Sequence, residues 1–442
     1  MGGKDRTGRP DVYAVIGKPV LHSRSPQMHN AAFGELGLNA RYVRIAAESR
    51  EEGLDIARRV GIRGINVTSP FKNIIDIVDG ADPVAKQIGA VNTVLFSDGK
   101  AMGYNTDAHG VSESFIANGI TIKGKTALVL GAGGAARAAV VALLGSGAGV
   151  TIANRTAGKA KAMAGDFGTG SCSLDAKELA HAMAGVRLVV GCLNTGERAI
   201  PKELLRPEMA VMDAYYASES ALSKDARDAG CKIIDGREWL LHQGAKSFEL
   251  FTGKKPPVAA MRKAVYAQNP KPGTSSIALV GMMGSGKDSV SKALAARTGM
   301  RVVGTDAEIE RTAGIRVDEI FEREGEEGFR KREREVIASL GRDGTNPAII
   351  NCGGGAVIDE GNRNALKRAS TVVWLWADIR TIMARVPKDG TRPLLKGAEP
   401  EKKLRELLAQ RMGAYCEASD LVVATDGKTP EQVAERILYE IH

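Results

Sequence analysis

Residues Ser276 to Thr298 read SIALVGMMGSGKDSVSKALAART. Ile277 to Val280 predict a short buried strand, and Val290, Leu294 and Ala295 recur at helical spacing from about Asp288 onward. Between them, Gly281-Met282-Met283-Gly284-Ser285-Gly286-Lys287 has the G-x-x-x-x-G-K spacing of a phosphate-binding loop. Glycines let backbone N–H groups converge on an anion, and the following helix N-terminus adds positive potential. Lys287 supplies a full charge that a purely structural strand–helix turn would not require. On this reading the loop, with Gly284, Ser285, Gly286 and Lys287 at its end, cradles the phosphates of a nucleotide. The loop opens a domain well past the middle of the chain, so everything before it needs a separate account.

A chain of 442 residues predicts two to four domains. With 43% hydrophobic and 26% charged residues, it reads as globular and soluble. Its beginning holds no long apolar run, and no stretch approaches the ~20 apolar residues of a membrane span. Neither a signal peptide nor a membrane anchor is therefore expected. Cys172, Cys192, Cys231, Cys352 and Cys416 are scattered, with no C-x-x-C pair. Disulfides and cysteine-bound metal are thus not expected, which suits a cytoplasmic protein. The net charge of +9 comes with only three Trp and no long basic block. Small anionic ligands account for it better than nucleic acid. The pattern specifies no oligomeric state.

Upstream of the loop, strand and helix patterns alternate, which predicts an α/β fold with parallel sheets. Ala267 to Ser275, with two Pro and one Gly, reads as the main linker. Val12 to Ile16 predict a strand, followed by a turn carrying Ser23, Ser25 and Pro26. The two hydroxyls either donate together to one carboxylate, or Ser25 simply caps the next helix. Three further strand ends are polar: Asn66 to Lys72, Gly89 to Thr93 and Asn105 to Asp107. They place Thr68, Lys72, Asn92, Asn105, Thr106 and Asp107 where α/β proteins bind ligands. A lone Lys is more often solvated surface; Lys72 together with Asp107 offers a proton donor and a charged partner.

A second glycine turn, Gly131-Ala132-Gly133-Gly134-Ala135, stands between the strand Ala127 to Leu130 and a helix from Ala135 to Leu144. It fits the dinucleotide-binding pattern with a small shift. The following strand, Val150 to Ala153, ends in Asn154-Arg155-Thr156. An acid there would bind the ribose diol of NAD; an Arg beside a hydroxyl suits a 2′-phosphate, so NADP is expected. Tyr215 follows another strand, Asn194 and Thr195 end one more, and Gln243 lies on a helix whose surface it would decorate in the simplest reading.

Taken in order, these segments from about Asp11 to Tyr266 resemble shikimate dehydrogenase. The resemblance implies NADPH-dependent reduction of 3-dehydroshikimate to shikimate. Ser23 and Ser25 would hold the substrate carboxylate, with Thr68, Asn92, Tyr215 and Gln243 in the same pocket. Lys72 and Asp107 would be the catalytic pair, and Gly236 would join Gly131 to Ala135 and Asn154 to Thr156 in binding NADP. It also implies a substrate lobe (residues 11–108 plus 236–266) and a Rossmann lobe (109–235), after a terminus of residues 1–10 and before the linker, 267–275.

The remainder, 276–442, resembles shikimate kinase, a P-loop fold like the nucleoside monophosphate kinases. The resemblance rests on the Lys287 loop, Asp306, Arg330, the glycines Gly353, Gly354 and Gly355, Arg392, and Arg411. It implies that Asp306 accepts the proton of the substrate hydroxyl, that Arg330 and Arg411 clamp the carboxylate with Gly353, Gly354 and Gly355 against the substrate, and that Asp288 and Ser289 join Gly284, Ser285, Gly286 and Lys287 at ATP, which Arg392 covers. Two positions depart from the pattern. Asp288 stands where Ser or Thr would bind Mg²⁺, and Gly304 where an acid would stand near the metal. Carboxylate is a suitable Mg²⁺ ligand, so Asp288 is the expected metal residue. Without the cation, a carboxylate ~4 Å from a phosphate charge costs about 1 to 4 kcal/mol. The whole chain then reads as a bifunctional enzyme for two consecutive steps. The alternative is an active dehydrogenase, with quinate as a further substrate, beside a kinase-like half that binds without turnover.

Overall fold

The computed structural model describes residues 9–193, 198–216, 218–267, 276–340, 347–386 and 399–441. Chain contacts group them into two units. The first holds the described parts of 1–26, 37–63 and 268–442; the second holds 27–36 and 64–267.

In the first unit the strands Arg301–Gly304, Ala348–Asn351, Ile277–Val280, Thr371–Trp376 and Leu421–Ala424 lie side by side in that order. Every pairing among them is parallel. Ile277–Val280 and Thr371–Trp376 are buried along their whole length. Such two-sided burial is why both read as continuous apolar runs. The sheet does not stop at Leu421–Ala424. That strand pairs in parallel with Ala40–Ala46, Val422 opposite Ile45 and Val423 opposite Ala46. Ala40–Ala46 in turn pairs with Asp11–Gly17. Two strands from the beginning of the chain thus extend the sheet of the phosphate-loop domain.

The second unit contains a parallel sheet ordered Lys232–Ile234, Ala210–Asp213, Val186–Gly191, Thr126–Leu130, Gly149–Ala153, Gly170–Cys172. Strand order reverses at Thr126–Leu130, with later strands laid down on either side of it, the switch point where doubly wound sheets bind ligands. Ala-rich Gly134–Gly145 packs there, with Ala136, Ala138, Ala139 and Val140 fully buried. Elsewhere in this unit Gly64–Val67, Thr93–Ser97 and Lys100–Tyr104 pair antiparallel, and Gly80–Ala81 lies parallel to the last. Within the α/β fold that the sequence predicts, this small group of strands is the antiparallel part. Asp98 and Gly99, both at positive φ, make a tight hairpin turn that only antiparallel strands can share.

A smaller correction concerns Arg301 to Asp306, which reads as one strand ending in an acid. The strand stops at Gly304, and Thr305–Ala313 is helical. Asp306 and Glu308 fall in that first turn, where the helix dipole favours negative charge.

Candidate functional sites

In the second unit, Lys72 sits on the short 3-10 helix Phe71–Asp76, and Asp107 opens the helix Asp107–Ala117. Their side chains meet, Lys72 Nζ lying 2.5 Å from Asp107 Oδ2. Asp107 is buried, and its backbone is fixed from both sides. Its N–H donates to Asn105 Oδ1 at 3.0 Å, and its carbonyl accepts from Trp239 Nε1 at 3.0 Å. Behind the pair runs a buried polar network. Asn92 Nδ2 donates to Thr106 Oγ1 at 3.0 Å and to Gln243 Oε1 at 3.3 Å, while Asn92 Oδ1 accepts the Thr106 N–H at 2.8 Å. Asn66 Nδ2 joins through Thr93 and Ser247, each at 2.9 Å. Gln243 is therefore buried and engaged, not helix surface. Sequence reasoning missed Ser247, four residues further along the same helix face; that i, i+4 spacing was the available signal. Thr68 is half-buried just past Gly64–Val67, and its carbonyl accepts from the Phe71 N–H at 2.9 Å.

The dinucleotide turn comes close to this pair. A Cβ on Gly134 would lie 3.8 Å from Lys72 Cδ. Gly131 has φ +113°, and a Cβ there would come within 3.0 Å of the Cys192 carbonyl, so any side chain is excluded twice over. Burial pushes the Cys192 thiol far up, with Asp213 adding to the effect. Sequence reasoning assigned it nothing. Ala132 and Ala135 are half-buried around the helix start, and Gly133 caps it without a side-chain bond. At the next strand end Asn154 Nδ2 donates to the Thr156 carbonyl at 3.1 Å, leaving Arg155 and Thr156 exposed at the edge. Gly236 opens the helix Gly236–Thr252; a Cβ there would fall 2.3 Å from the Asp213 carbonyl oxygen. Tyr215 is half-buried, and its hydroxyl accepts from Ser218 Oγ at 3.3 Å. Asn194 and Thr195 lie outside the described residues.

In the first unit, Ser23 Oγ donates to Ser25 Oγ at 3.3 Å and accepts the Ser25 N–H at 3.4 Å. Both serines are buried. The Ser23 carbonyl accepts from Arg44 Nε at 3.0 Å and Nη2 at 2.6 Å.

A separate cleft of about 1450 Å³ in the same unit collects the phosphate loop and the residues expected around it. Gly281, Gly284 and Gly286 all have positive φ, the left-handed conformations that glycine permits. Lys287 Nζ folds back onto the carbonyls of Gly281 at 2.9 Å and Met282 at 3.1 Å. Ser285 is buried with no hydrogen-bond partner on Oγ among the described residues. Asp288 and Ser289 open the following helix and line the cleft. Asp288 Oδ1 lies 2.5 Å from Asn351 Nδ2, and Gly304 borders the same cleft. Sequence reasoning missed Asn351, although its place at a strand end was a signal.

Across the cleft, burial raises the Asp306 carboxyl above its ordinary value, against the opposing pull of Lys287. A Cβ on Gly353 would lie 2.8 Å from Asp306 Oδ1, and one on Gly355 only 2.5 Å from Arg330 Nη2. A side chain at either position would have to push the Asp306 carboxylate or the Arg330 guanidinium aside. Arg330 Nη1 donates to Glu333 Oε2 at 2.7 Å. Glu333 is buried, its carboxyl raised by burial against the pull of Arg330. In the sequence it blends into a charged helix face; only its 3-residue offset from Arg330 hints otherwise. Arg411 Nη1 and the Tyr415 hydroxyl both donate to the Gly354 carbonyl, at 3.1 and 2.7 Å. Asp306, Arg330, Arg411 and the three glycines are therefore brought together. Arg392 lies outside the described residues.

Family models match along nearly the whole chain. The shikimate dehydrogenase substrate binding domain matches residues 15–94, shikimate / quinate 5-dehydrogenase matches 115–213, and the shikimate 5'-dehydrogenase C-terminal domain matches 236–266. Shikimate kinase matches 283–442. A shikimate dehydrogenase (NADP(+)) of Natronomonas pharaonis is 45% identical over 265 residues, 58% of this chain and 98% of that protein. Among solved structures, shikimate 5-dehydrogenase from Thermus thermophilus in complex with NADP(H) and shikimate aligns with TM-score 0.54 and 38% identity, covering 58% of this chain and 98% of that one. Quinate dehydrogenase from Corynebacterium glutamicum in complex with NAD aligns with TM-score 0.53 and 30% identity, covering 58% and 98%. The chain is an enzyme of the shikimate dehydrogenase family, carrying in addition a shikimate kinase domain over residues 283–442.

Proposed function

We propose that the protein carries out two consecutive reactions: 3-dehydroshikimate is reduced to shikimate, and the 3-hydroxyl of shikimate is then phosphorylated by ATP. The observation that carries this reading is the coexistence, in one chain, of the Lys72–Asp107 pair beside a dinucleotide turn and the Asp306–Arg330–Arg411 cluster beside a phosphate loop.

For the reduction, NADPH supplies the hydride. Lys72 and Asp107 stand at the carbonyl oxygen, one of them delivering the proton that neutralises the new alkoxide. Asn92 and Gln243, oriented by Thr106, position the ring hydroxyls, with Thr68 and Tyr215 in the same role. Ser23 and Ser25 bind the carboxylate. Gly131 to Ala135 accept the pyrophosphate, while Asn154, Arg155 and Thr156 select the 2′-phosphate. Gly236, packed against the Asp213 carbonyl, completes the cofactor-binding residues.

For the phosphorylation, Arg330 and Arg411 hold the carboxylate, and Glu333 fixes the Arg330 guanidinium. Asp306 takes the proton from the attacking hydroxyl. Lys287 and the loop N–H groups bind the phosphates, and Arg392 completes the ATP site. Phosphoryl transfer is then chiefly positioning and charge neutralisation. Mg²⁺ fits the donor set present: Asp288 offers a carboxylate, with Asn351 beside it. Magnesium usually keeps most of its waters and needs few protein ligands, and bound there it would neutralise phosphate charge.

The decisive assay follows NADPH oxidation with 3-dehydroshikimate, then ADP release after ATP and Mg²⁺ are added. Reduction without ADP release would leave the kinase-like half as a binding module, a reading favoured by the close Asn351–Asp288 contact, which already occupies one carboxylate oxygen. Oxidation of quinate in parallel would test the wider specificity suggested by the quinate dehydrogenase likeness.

A further inference from the structure

The turn that carries Ser23 is held by a side chain from the other end of the sequence. Glu440 lies near the end of the helix Pro430–Ile441, and its side chain is fully buried. Its Oε2 accepts the N–H of Val20 at 2.7 Å and that of Leu21 at 3.0 Å. Its other oxygen pairs with Arg436, one helical turn earlier and nearly as buried. The turn itself is closed by the Ser23 N–H on the Val20 carbonyl at 3.0 Å. On the opposite side Arg44 grips the Ser23 carbonyl, and its Nη1 reaches the Asp420 carbonyl at 3.2 Å. Asp420 immediately precedes Leu421–Ala424, the strand that pairs with Ala40–Ala46.

Most ion pairs around this junction are half-exposed, such as Arg59 with Asp378 and Lys18 with Glu48. Exposed pairs contribute ~0–1 kcal/mol each and do not fix a backbone. Glu440 differs. A buried carboxylate is tolerated only with partners, and charge-assisted bonds to backbone N–H groups are about twice as strong as neutral ones. Two consecutive amides on one oxygen also fix the orientation of the peptide between them. Nothing in the shikimate kinase chemistry derived above uses Glu440 or Arg436, and neither lines the phosphate-loop cleft.

We propose that Glu440, supported by Arg436, is a positioning residue for the dehydrogenase reaction: the last helix of the kinase domain shapes the turn that presents Ser23 and Ser25. This rests on the reading of those serines as the carboxylate-binding pair. A consequence is that the dehydrogenase half depends on the fused domain for substrate affinity.

The test uses the full chain. Glu440→Gln weakens the acceptor with little change in shape. The double variant Arg436→Met with Glu440→Leu removes both charges together, an exchange that is often neutral for stability, whereas losing one partner alone is costly. Both variants are expected to raise KM for 3-dehydroshikimate, about tenfold in the double variant, with kcat, KM for NADPH and KM for ATP near the parent values. Hydrogen exchange at the Val20 and Leu21 amides should accelerate in both. An unchanged KM in the double variant, or a loss shared equally by kcat and KM for NADPH, overturns the proposal. Ser23→Ala and Ser25→Ala are measured alongside. If they raise KM while the double variant does not, the positioning role alone fails. If they leave KM unchanged, the carboxylate reading fails and takes this inference with it.

Discussion

Lys72 Nζ sits 2.5 Å from Asp107 Oδ2, and the glycine turn passes just beside Lys72 at Gly134. Proton transfer by one positioned group is typically worth 10²–10⁴-fold. Lys72→Met and Asp107→Asn are each expected to lower kcat of shikimate oxidation by roughly that factor. Binding of NADP⁺, followed by fluorescence titration, should persist. A fall in cofactor affinity with kcat intact would remove both residues from the chemical step.

Arg155 is exposed at the end of Gly149–Ala153. A hydrogen bond to a charged group contributes about 1.5–3 kcal/mol, so Arg155→Ala should raise KM for NADP⁺ about 10- to 100-fold. KM for NAD⁺ should stay within about twofold, because no 2′-phosphate is present to lose the contact. Initial rates with both cofactors read this directly.

Gly355 lies against the Arg330 guanidinium, where a Cβ would intrude to 2.5 Å. Gly355→Ala is therefore expected to displace Arg330 and raise KM for shikimate in the kinase assay several-fold, leaving KM for ATP unchanged. Gly284→Ala is the contrast. It strains a residue at φ +73° and crowds Val386 at 3.0 Å, so it should impair ATP binding instead.

Asp288 and Asn351 share one short contact within the phosphate-loop cleft. If Asp288 holds Mg²⁺, Asp288→Ala should raise the Mg²⁺ concentration needed for half-maximal ADP release by about tenfold or more. Calorimetric titration of ATP in the presence and absence of Mg²⁺ gives a readout independent of turnover. Equal Mg²⁺ dependence in parent and variant would take Asp288 out of the metal site.

Asp306 must be ionised to accept a proton, and burial raises its carboxyl above the ordinary aspartate value of 3.8, with Lys287 pulling the other way. A raised carboxyl protonates earlier as the solution is acidified. Kinase kcat/KM should therefore fall on an acid limb lying above that ordinary value, while Asp306→Asn should be inactive at every pH. A profile that stays flat well into acid would contradict the assignment.

Both glycine turns were legible because their backbone conformations admit few other residues, and the strands beside them are buried on both faces. The polar strand ends carrying Lys72, Asn92 and Asp107 were legible for the same reason: polar groups directly after buried strands need an explanation. What escaped was set by helix packing. Ser247 and Glu333 look like ordinary helix residues until the neighbouring segments bury them. The antiparallel hairpin at Asp98 and Gly99 was hidden by a strong alternation of strands and helices around it. The pairing of Leu421–Ala424 with Ala40–Ala46 left no trace, because backbone ladders between two distant strands carry no label naming their partner.

That pairing bears on how the protein is made. Ala40–Ala46 leaves the ribosome early, yet the strand that covers its outer edge is among the last segments translated. At about 5–20 residues per second, the edge stays open for on the order of half a minute. An uncovered strand edge is a template for joining other nascent chains. Expression yield should therefore depend on translation speed and chaperone supply more steeply than the stability of the finished protein would indicate.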